Sequence, residues 1–291
     1  SLPSELQILL DQSHVHIRDR PGTVARLVRL IEDGASNLTI ISDFDHTLSR
    51  SHDDEGKRCP VTHEVFGHPE RLPELSKKFA QFEQKYGHFE HHTEGQERME
   101  AMEAWWMESN EAIVERGFDR SELAELVAAT NIQLRNGAEE LLLQLNQREM
   151  PILIFSAGIG DVISIFLDQF LGGIPRNTHI VSNRMAYDEQ DRICGFSDPL
   201  IHCFNKSGAM IEQSSPILPL LAARPNVLLL GDALGDARMV EGLSKEEEGT
   251  LRVGFLNKKP DMLSHFTSAF DIVIVDDQTM EIPVEIVKML A

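Results

Sequence analysis

Short runs of β-branched and leucine-rich residues recur along the chain, each ending in small or acidic residues: Leu38–Ser42, Ile152–Phe155, His179–Ser182, Val227–Leu230, Leu251–Phe255 and Ile272–Val275. Apolar runs this short, without alternation, suit strands covered on both faces. Helically spaced patterns separate most of them, over Gly22–Glu32, Asn136–Gln147, Asp161–Phe170, Asp236–Gly242 and Asp261–Phe270. Strand then helix, repeated, predicts an α/β fold: a Rossmann-like parallel sheet flanked by helices, with ligands beyond the carboxyl ends of the strands. From about His52 to Thr130 the rhythm stops. Amphipathic helices are predicted there instead, at Glu70–Tyr86, Gln96–Arg116 and Ser121–Ala129. Residues 52–130 therefore read as a helical cap inserted after the first strand, and residues 1–51 with 131–291 as the core. Around Tyr187–Ser197 the polar, Gly-containing stretch suggests a small hairpin.

Composition narrows the function classes. With 291 residues, 42% of them hydrophobic, the chain can bury a full core. Its formal charge of −20 argues against general affinity for nucleic-acid polymers or acidic membranes, which attract basic patches. An anionic substrate would have to be held by local cations. Three scattered cysteines, Cys59, Cys194 and Cys203, suit reduced thiols better than a disulfide framework. No run approaches the roughly 18 apolar residues of a membrane span, and Ser1–Arg20 carries scattered charges unlike a secretion signal. A cytoplasmic protein, acting as a monomer on a small molecule, is the expectation.

Candidate chemistry sits at the strand ends. The first core strand runs into Asp43-Phe44-Asp45-His46-Thr47-Leu48-Ser49. Two carboxylates so placed repel each other unless a cation lies beside them. At Phe155-Ser156-Ala157-Gly158-Ile159-Gly160-Asp161 a strand passes through small residues into a helix, offering N–H groups and a hydroxyl to an anion. Leu230-Gly231-Asp232-Ala233-Leu234-Gly235-Asp236 brings a second pair of acids, able to complete an oxygen shell for Mg²⁺. Between them, Lys206 can neutralise a phosphate oxygen. Taken singly, each signal also fits an ordinary turn or a solvated lysine.

Together, and in this order, the motifs resemble those of the haloacid dehalogenase phosphohydrolases. The resemblance implies that Asp43 attacks phosphorus and that Asp45 protonates the leaving oxygen and then activates water. It further implies that Ser156, Ala157 and Lys206 hold the phosphate, and that Mg²⁺ is bound at Asp43, Asp45 and Asp232. Adding Thr47-Leu48-Ser49-Arg50, Gly56-Lys57-Arg58-Cys59-Pro60 with His63, and Phe204-Asn205-Lys206, the chain resembles the cytosolic 5'-nucleotidase III (pyrimidine 5'-nucleotidase) family over nearly its whole length. In that family the cap holds the nucleobase, which implies base contacts from Glu90, Trp106 and Ser109. Trp106 and Ser109, three apart on a predicted helix, share a face; Trp105 points elsewhere and is expected in the core. Trp at 106 resembles the 7-methylguanosine phosphate-specific branch, where indole suits a cationic base. The expected substrates are 7-methyl-GMP and CMP, with UMP weaker. A phosphatase for another small phosphomonoester, a nucleoside phosphotransferase, and a non-catalytic nucleotide-binding module are the rival readings.

Overall fold

The strand Leu38–Ser42 is buried along its whole length, with a parallel neighbour on either edge. A computed structural model describes residues 1–92 and 95–291, apart from the side chains of residues 90–92. In chain order the elements are α1 (Ser4–Leu10), β1 (Val15–His16), α2 (Arg20–Asp33), β2 (Leu38–Ser42), α3 (Pro73–His92), α4 (Gly95–Arg116), α5 (Arg120–Ala129), α6 (Ala138–Gln147), β3 (Ile152–Ile159), α7 (Gly160–Leu171), β4 (Thr178–Asn183), β5 (Met185–Tyr187), β6 (Ile193–Phe196), α8 (Ile217–Ala223), β7 (Asn226–Gly231), β8 (Thr250–Leu256), α9 (Leu263–Ala269), β9 (Ile272–Val275) and α10 (Glu281–Met289). The main sheet has seven strands in the order β1-β9-β8-β7-β2-β3-β4. All pair in parallel except β1, which runs antiparallel to β9.

Side chains alternate across the sheet into two apolar layers. Leu38, Ile40, Leu228 and Leu230 face one, with Leu27 of α2, Leu141 of α6 and Ile286 of α10. Ile41, Val227 and Leu229 face the other, with Ile217 and Leu221 of α8 and Phe266 of α9. Burying one such Ile or Leu stabilises the fold by about 1.5–3 kcal/mol. That burial on both faces is what makes the strand sequences uniformly apolar.

The predicted strands all form, and the hairpin appears as β5 paired with β6. One expectation is corrected. Asp236–Gly242 is not an α-helix: the segment opens with a 3-10 turn over Leu234–Arg238. Its shape follows from Asp236, whose Oδ2 accepts the N–H groups of Asp232 and Ala233 at 3.0 Å each and so folds the chain back on itself. The last predicted core helix divides into a 3-10 turn, Pro260–Met262, and α9.

Between β2 and β3, α3 and α4 pack on each other, α4 also meets β6, and α5 leans on α7. β2 has β7 on one side and β3 on the other, with Ser42 in register with Leu230 and Ile154. The carboxyl ends of the three strands therefore lie side by side, and in an open parallel sheet such a crevice is where ligands bind.

Candidate active site

Asp43 is the first residue beyond β2, and its N–H still donates to the Leu230 carbonyl of β7 at 3.0 Å. That bond fixes it beside the end of β7, where Asp232 and Asp236 follow. Oxygens of Asp43, Asp232 and Asp236 all lie within 4.8 Å of one another. Thr47 sits between the loops: its hydroxyl is 3.2 Å from both Asp43 Oδ2 and Asp232 Oδ1. Lys206 enters from the loop before α8, only 4% exposed, with Nζ 2.9 Å from Asp43 Oδ1 and 2.6 Å from Asp236 Oδ1.

Electrostatics divide these groups. Burial would lower the Lys206 pKa, but the Asp236 and Asp43 carboxylates outweigh it and hold the ammonium firmly protonated. Asp232 is pushed well above the ordinary carboxylate range by burial and by the charges of Asp43 and Asp236. Burial also raises Asp236, against the pull of Lys206.

The turn after Asp43 is held by a buried cation. His46 has φ 59° and ψ 15°, in the left-handed region, a conformation that costs a non-glycine residue about 1 kcal/mol or more. Its carbonyl accepts from Arg135 Nη2 at 2.7 Å and from Asn257 Nδ2 at 3.0 Å. Arg135 also donates to the Thr47 carbonyl at 2.7 Å and to the Asp277 carbonyl.

The carboxylate of Asp45 points away from the three-acid cluster. Its Oδ1 accepts the Thr62 N–H and its Oδ2 the Thr62 hydroxyl, both at 2.8 Å. Burial and the charge of Asp43 raise its pKa to about 7, against the bonds from Thr62 and the charge of Lys206. Ser156, near the end of β3, is buried and accepts the Gly158 N–H at 3.0 Å. Gly158 is glycine for want of room: a Cβ there would lie 2.3 Å from Thr62 Oγ1 and 2.7 Å from Asp45 Oδ2. The small-residue run thus lets β3 close against Asp45 and Thr62.

A cavity of about 920 Å³ is lined by Asp45 and by residues of the helical insertion; Asp43, Lys206, Asp232 and Asp236 do not line it. Asp45, Ala157 and Gly158 line it, together with His63, Trp106 and Ser109. Trp106 and Ser109 share one face of α4, as their spacing requires. Trp105 departs from the expected core placement: it is half-buried, stacks on Tyr86 with ring centres 6.2 Å apart, and also lines the cavity. The side chain of Glu90 lies outside the described residues.

Structure brings together Asp43, Lys206 and Asp232, and separately Asp45, Ala157, Trp106 and Ser109 around the cavity, with Ser156 buried beside Gly158 and not in the cavity lining. It adds groups the sequence reading did not select. Thr62 carries no motif of its own, and Arg135 stands in the unremarkable run Leu134-Arg135-Asn136. Asp236 belonged to the quoted acidic pair, and its role as a clamp on Lys206 could be seen only once β7 and the Lys206 loop were in place.

The donor set suits a small hard cation. Asp43 and Asp232 present carboxylate oxygens to a shared space at an end of the sheet where anionic charge accumulates, and Mg²⁺ takes one or two carboxylates plus waters and a phosphate oxygen. Asp236 is less available, with Oδ1 on Lys206 and Oδ2 on two N–H groups.

Residues 46–291 match the family model described as pyrimidine 5'-nucleotidase (UMPH-1). A Caenorhabditis elegans protein bearing the name cytosolic 5'-nucleotidase 3 is 37% identical over 99% of this chain and 78% of its own. The 7-methylguanosine phosphate-specific 5'-nucleotidase A of Xenopus laevis is 33% identical over 94% of each chain. A crystal structure of cytosolic 5'-nucleotidase IIIB bound to cytidine superimposes with a TM-score of 0.87 at 28% identity, covering 99% of this chain and 97% of that one.

Proposed function

The chain belongs to the pyrimidine 5'-nucleotidase family, phosphoric monoester hydrolases of the haloacid dehalogenase fold, and from that premise we propose a Mg²⁺-dependent hydrolase of 7-methyl-GMP and CMP, with UMP weaker, that works through an aspartyl-phosphate on Asp43. The observation that carries this reading is a single cavity lined by both Asp45 and Trp106. Its volume is that of a small-molecule site. A phosphatase for a small polar metabolite has little use for a stacking ring.

In the first step an Asp43 oxygen attacks phosphorus and the bond from phosphorus to the ester oxygen breaks. Asp45, raised to about 7, gives its proton to that leaving oxygen, so the nucleoside departs neutral. Water then attacks the phosphoryl group while Asp45 takes back a proton, and inorganic phosphate and free Asp43 result. Covalent capture divides one hard displacement into two easier ones. Lys206, held by Asp43 and Asp236, places a fixed positive charge beside the transferring group. Ser156 and the Ala157–Gly158 backbone border the phosphate end. Bound Mg²⁺ would supply further charge neutralisation for the phosphate oxygens. Asp43 and Asp232 would hold it with their carboxylates, while each Asp45 carboxylate oxygen already accepts one hydrogen bond from Thr62.

At the base end, Trp106 provides the stacking surface. A 7-methylated guanine carries positive charge, and a cation over indole gains about 0.5–2 kcal/mol. Unmethylated GMP lacks that attraction. Glu90 is the proposed partner for base N–H groups, and Ser109 borders the same face as Trp106. Residues 52–130 form the cap that recognises the base. The name of the nematode relative and the absence, among the described residues, of any helix long and apolar enough to cross a membrane are compatible with action in the cytosol.

A panel of nucleoside monophosphates assayed with Mg²⁺ and with EDTA tests the reading. Release of phosphate from 7-methyl-GMP and CMP, weaker from UMP and GMP and abolished by EDTA, is expected. Equal rates on every monophosphate would overturn the specificity, and full activity in EDTA the metal dependence.

A further inference from the structure

The reverse face of the indole is occupied as well. The imidazole of His202 lies 5.3 Å from Trp106, centre to centre, with only 13° between the ring planes. Trp106 lines the cavity and His202 does not. His202 therefore backs the indole, and the opposite face is the one open to a base.

His202 is held from several sides. Its main-chain N–H donates to Asn205 Oδ1 at 2.7 Å, its Nδ1 accepts the Phe204 N–H at 3.2 Å, and its Nε2 lies 3.0 Å from Glu103 Oε1. A ring whose Nδ1 accepts carries its proton on Nε2, which then donates to Glu103. Burial lowers its affinity for a second proton, against the influence of Glu103. The imidazole is thus neutral and only 6% exposed. Glu103 and Trp106 stand three apart on α4, so the helix that supplies the indole also supplies the carboxylate behind it. Arg98, also on α4, lies over the neighbouring Phe204 ring at 5.5 Å from its centre.

We infer that Glu103 and His202 are positioning residues that set base specificity: the carboxylate-bound imidazole fixes the plane of Trp106 and biases the slot towards a cationic base. This rests on the reading that the base stacks on Trp106. A carboxylate accepting the Nε2 proton leaves the imidazole ring more electron-rich, and that ring lies nearly parallel to the indole. The side-chain charge of Glu103 adds attraction for the positive ring of 7-methylguanine and none for neutral cytosine. The same loop carries Lys206 four residues further on, so the platform under the base and the cation at the phosphate are set by one segment.

The test titrates 7-methylguanosine and cytidine, which carry no phosphate, into the wild type, Glu103→Gln and Trp106→Ala by calorimetry, alongside kcat and KM for 7-methyl-GMP and CMP. Glutamine keeps an oxygen that can accept from Nε2 and removes the charge. The affinity ratio of 7-methylguanosine to cytidine should fall about three-fold or more in Glu103→Gln, the order of one exposed cation–π term. The loss should appear in KM, with kcat on both substrates little changed, and Trp106→Ala should lose both nucleosides. An unchanged ratio in Glu103→Gln, with binding lost in Trp106→Ala, overturns the inference and leaves the stacking reading in place. Nucleoside binding unaffected by Trp106→Ala overturns the stacking reading and the inference with it.

Discussion

Asp45 rests both carboxylate oxygens on one residue, Thr62, at 2.8 Å from its N–H and 2.8 Å from its hydroxyl. The contact spans 17 positions of sequence and joins the turn after β2 to the start of the helical insertion. It holds the proposed acid in the cavity lining and limits the rise in its pKa. In Thr62→Val the hydroxyl bond is lost and the N–H bond remains. A hydrogen bond to a charged group is worth about 1.5–3 kcal/mol, so kcat should fall by about ten-fold or more. Steady-state kinetics on 7-methyl-GMP check this; kcat within two-fold of wild type would sever Thr62 from the chemistry.

Lys206 and its two carboxylates form a buried charge cluster whose parts depend on one another. Asp236→Ala removes one partner from Lys206 and the acceptor for two N–H groups. Breaking a buried pair by deleting one member costs about 3–5 kcal/mol. Urea unfolding of the variant should show a loss of that order, together with weakened phosphate release. A midpoint equal to wild type would mean that the clamp is dispensable.

Trp106→Tyr exchanges the best cation-binding ring for a poorer one. The ratio of kcat/KM for 7-methyl-GMP over CMP should drop, by roughly two- to ten-fold on the usual scale of cation–π terms. Competition between the two substrates in one reaction reads the ratio directly. No change would remove the argument from the indole.

His63 borders the cavity with a buried Nε2 that finds no hydrogen-bond partner among the described residues. Burial lowers its pKa from 6.5 to about 4. As pH falls below 6.5 the unfolded chain takes up a proton that the folded ring refuses until about 4. Stability from this site is therefore full above that window and declines through it as pH falls. Thermal unfolding at neutral and mildly acid pH should show a steeper acid loss in the wild type than in His63→Phe. Parallel profiles would show that His63 does not carry the effect.

Much of this architecture could be read from the chain because its cause is local. A strand buried on both faces must be largely apolar, so β2, β3, β7, β8 and β9 announce themselves, and the half-buried edge strand β4 shows through its Ile180-Val181 centre. α8 and α10 escaped notice since each carries a proline, Pro219 and Pro283, inside its first turn, and β1 has only two residues. α3 begins at Pro73 rather than Glu70, a proline being well suited to the first helical position. At the site, Asp43, Asp45, Ser156, Lys206 and Asp232 stood at strand ends and loops where the pattern pointed. Thr62, Arg135 and His202 did not, because their roles come from partners far away in sequence: Asp45, the His46 turn and the Trp106 ring. The split between Asp45 and the three-acid cluster was likewise invisible, since alternate residues on a turn give no hint which carboxylate faces which loop.

The most direct measurement is the position of the phosphoryl group during turnover. Enzyme mixed with 7-methyl-GMP and Mg²⁺, quenched in acid and digested, should yield a peptide containing Asp43 with one phosphoryl group, labile to hydroxylamine and absent from Asp43→Asn. A wild-type enzyme that releases phosphate with no such peptide, or an Asp43→Asn protein that turns over at the parental rate, would contradict the account.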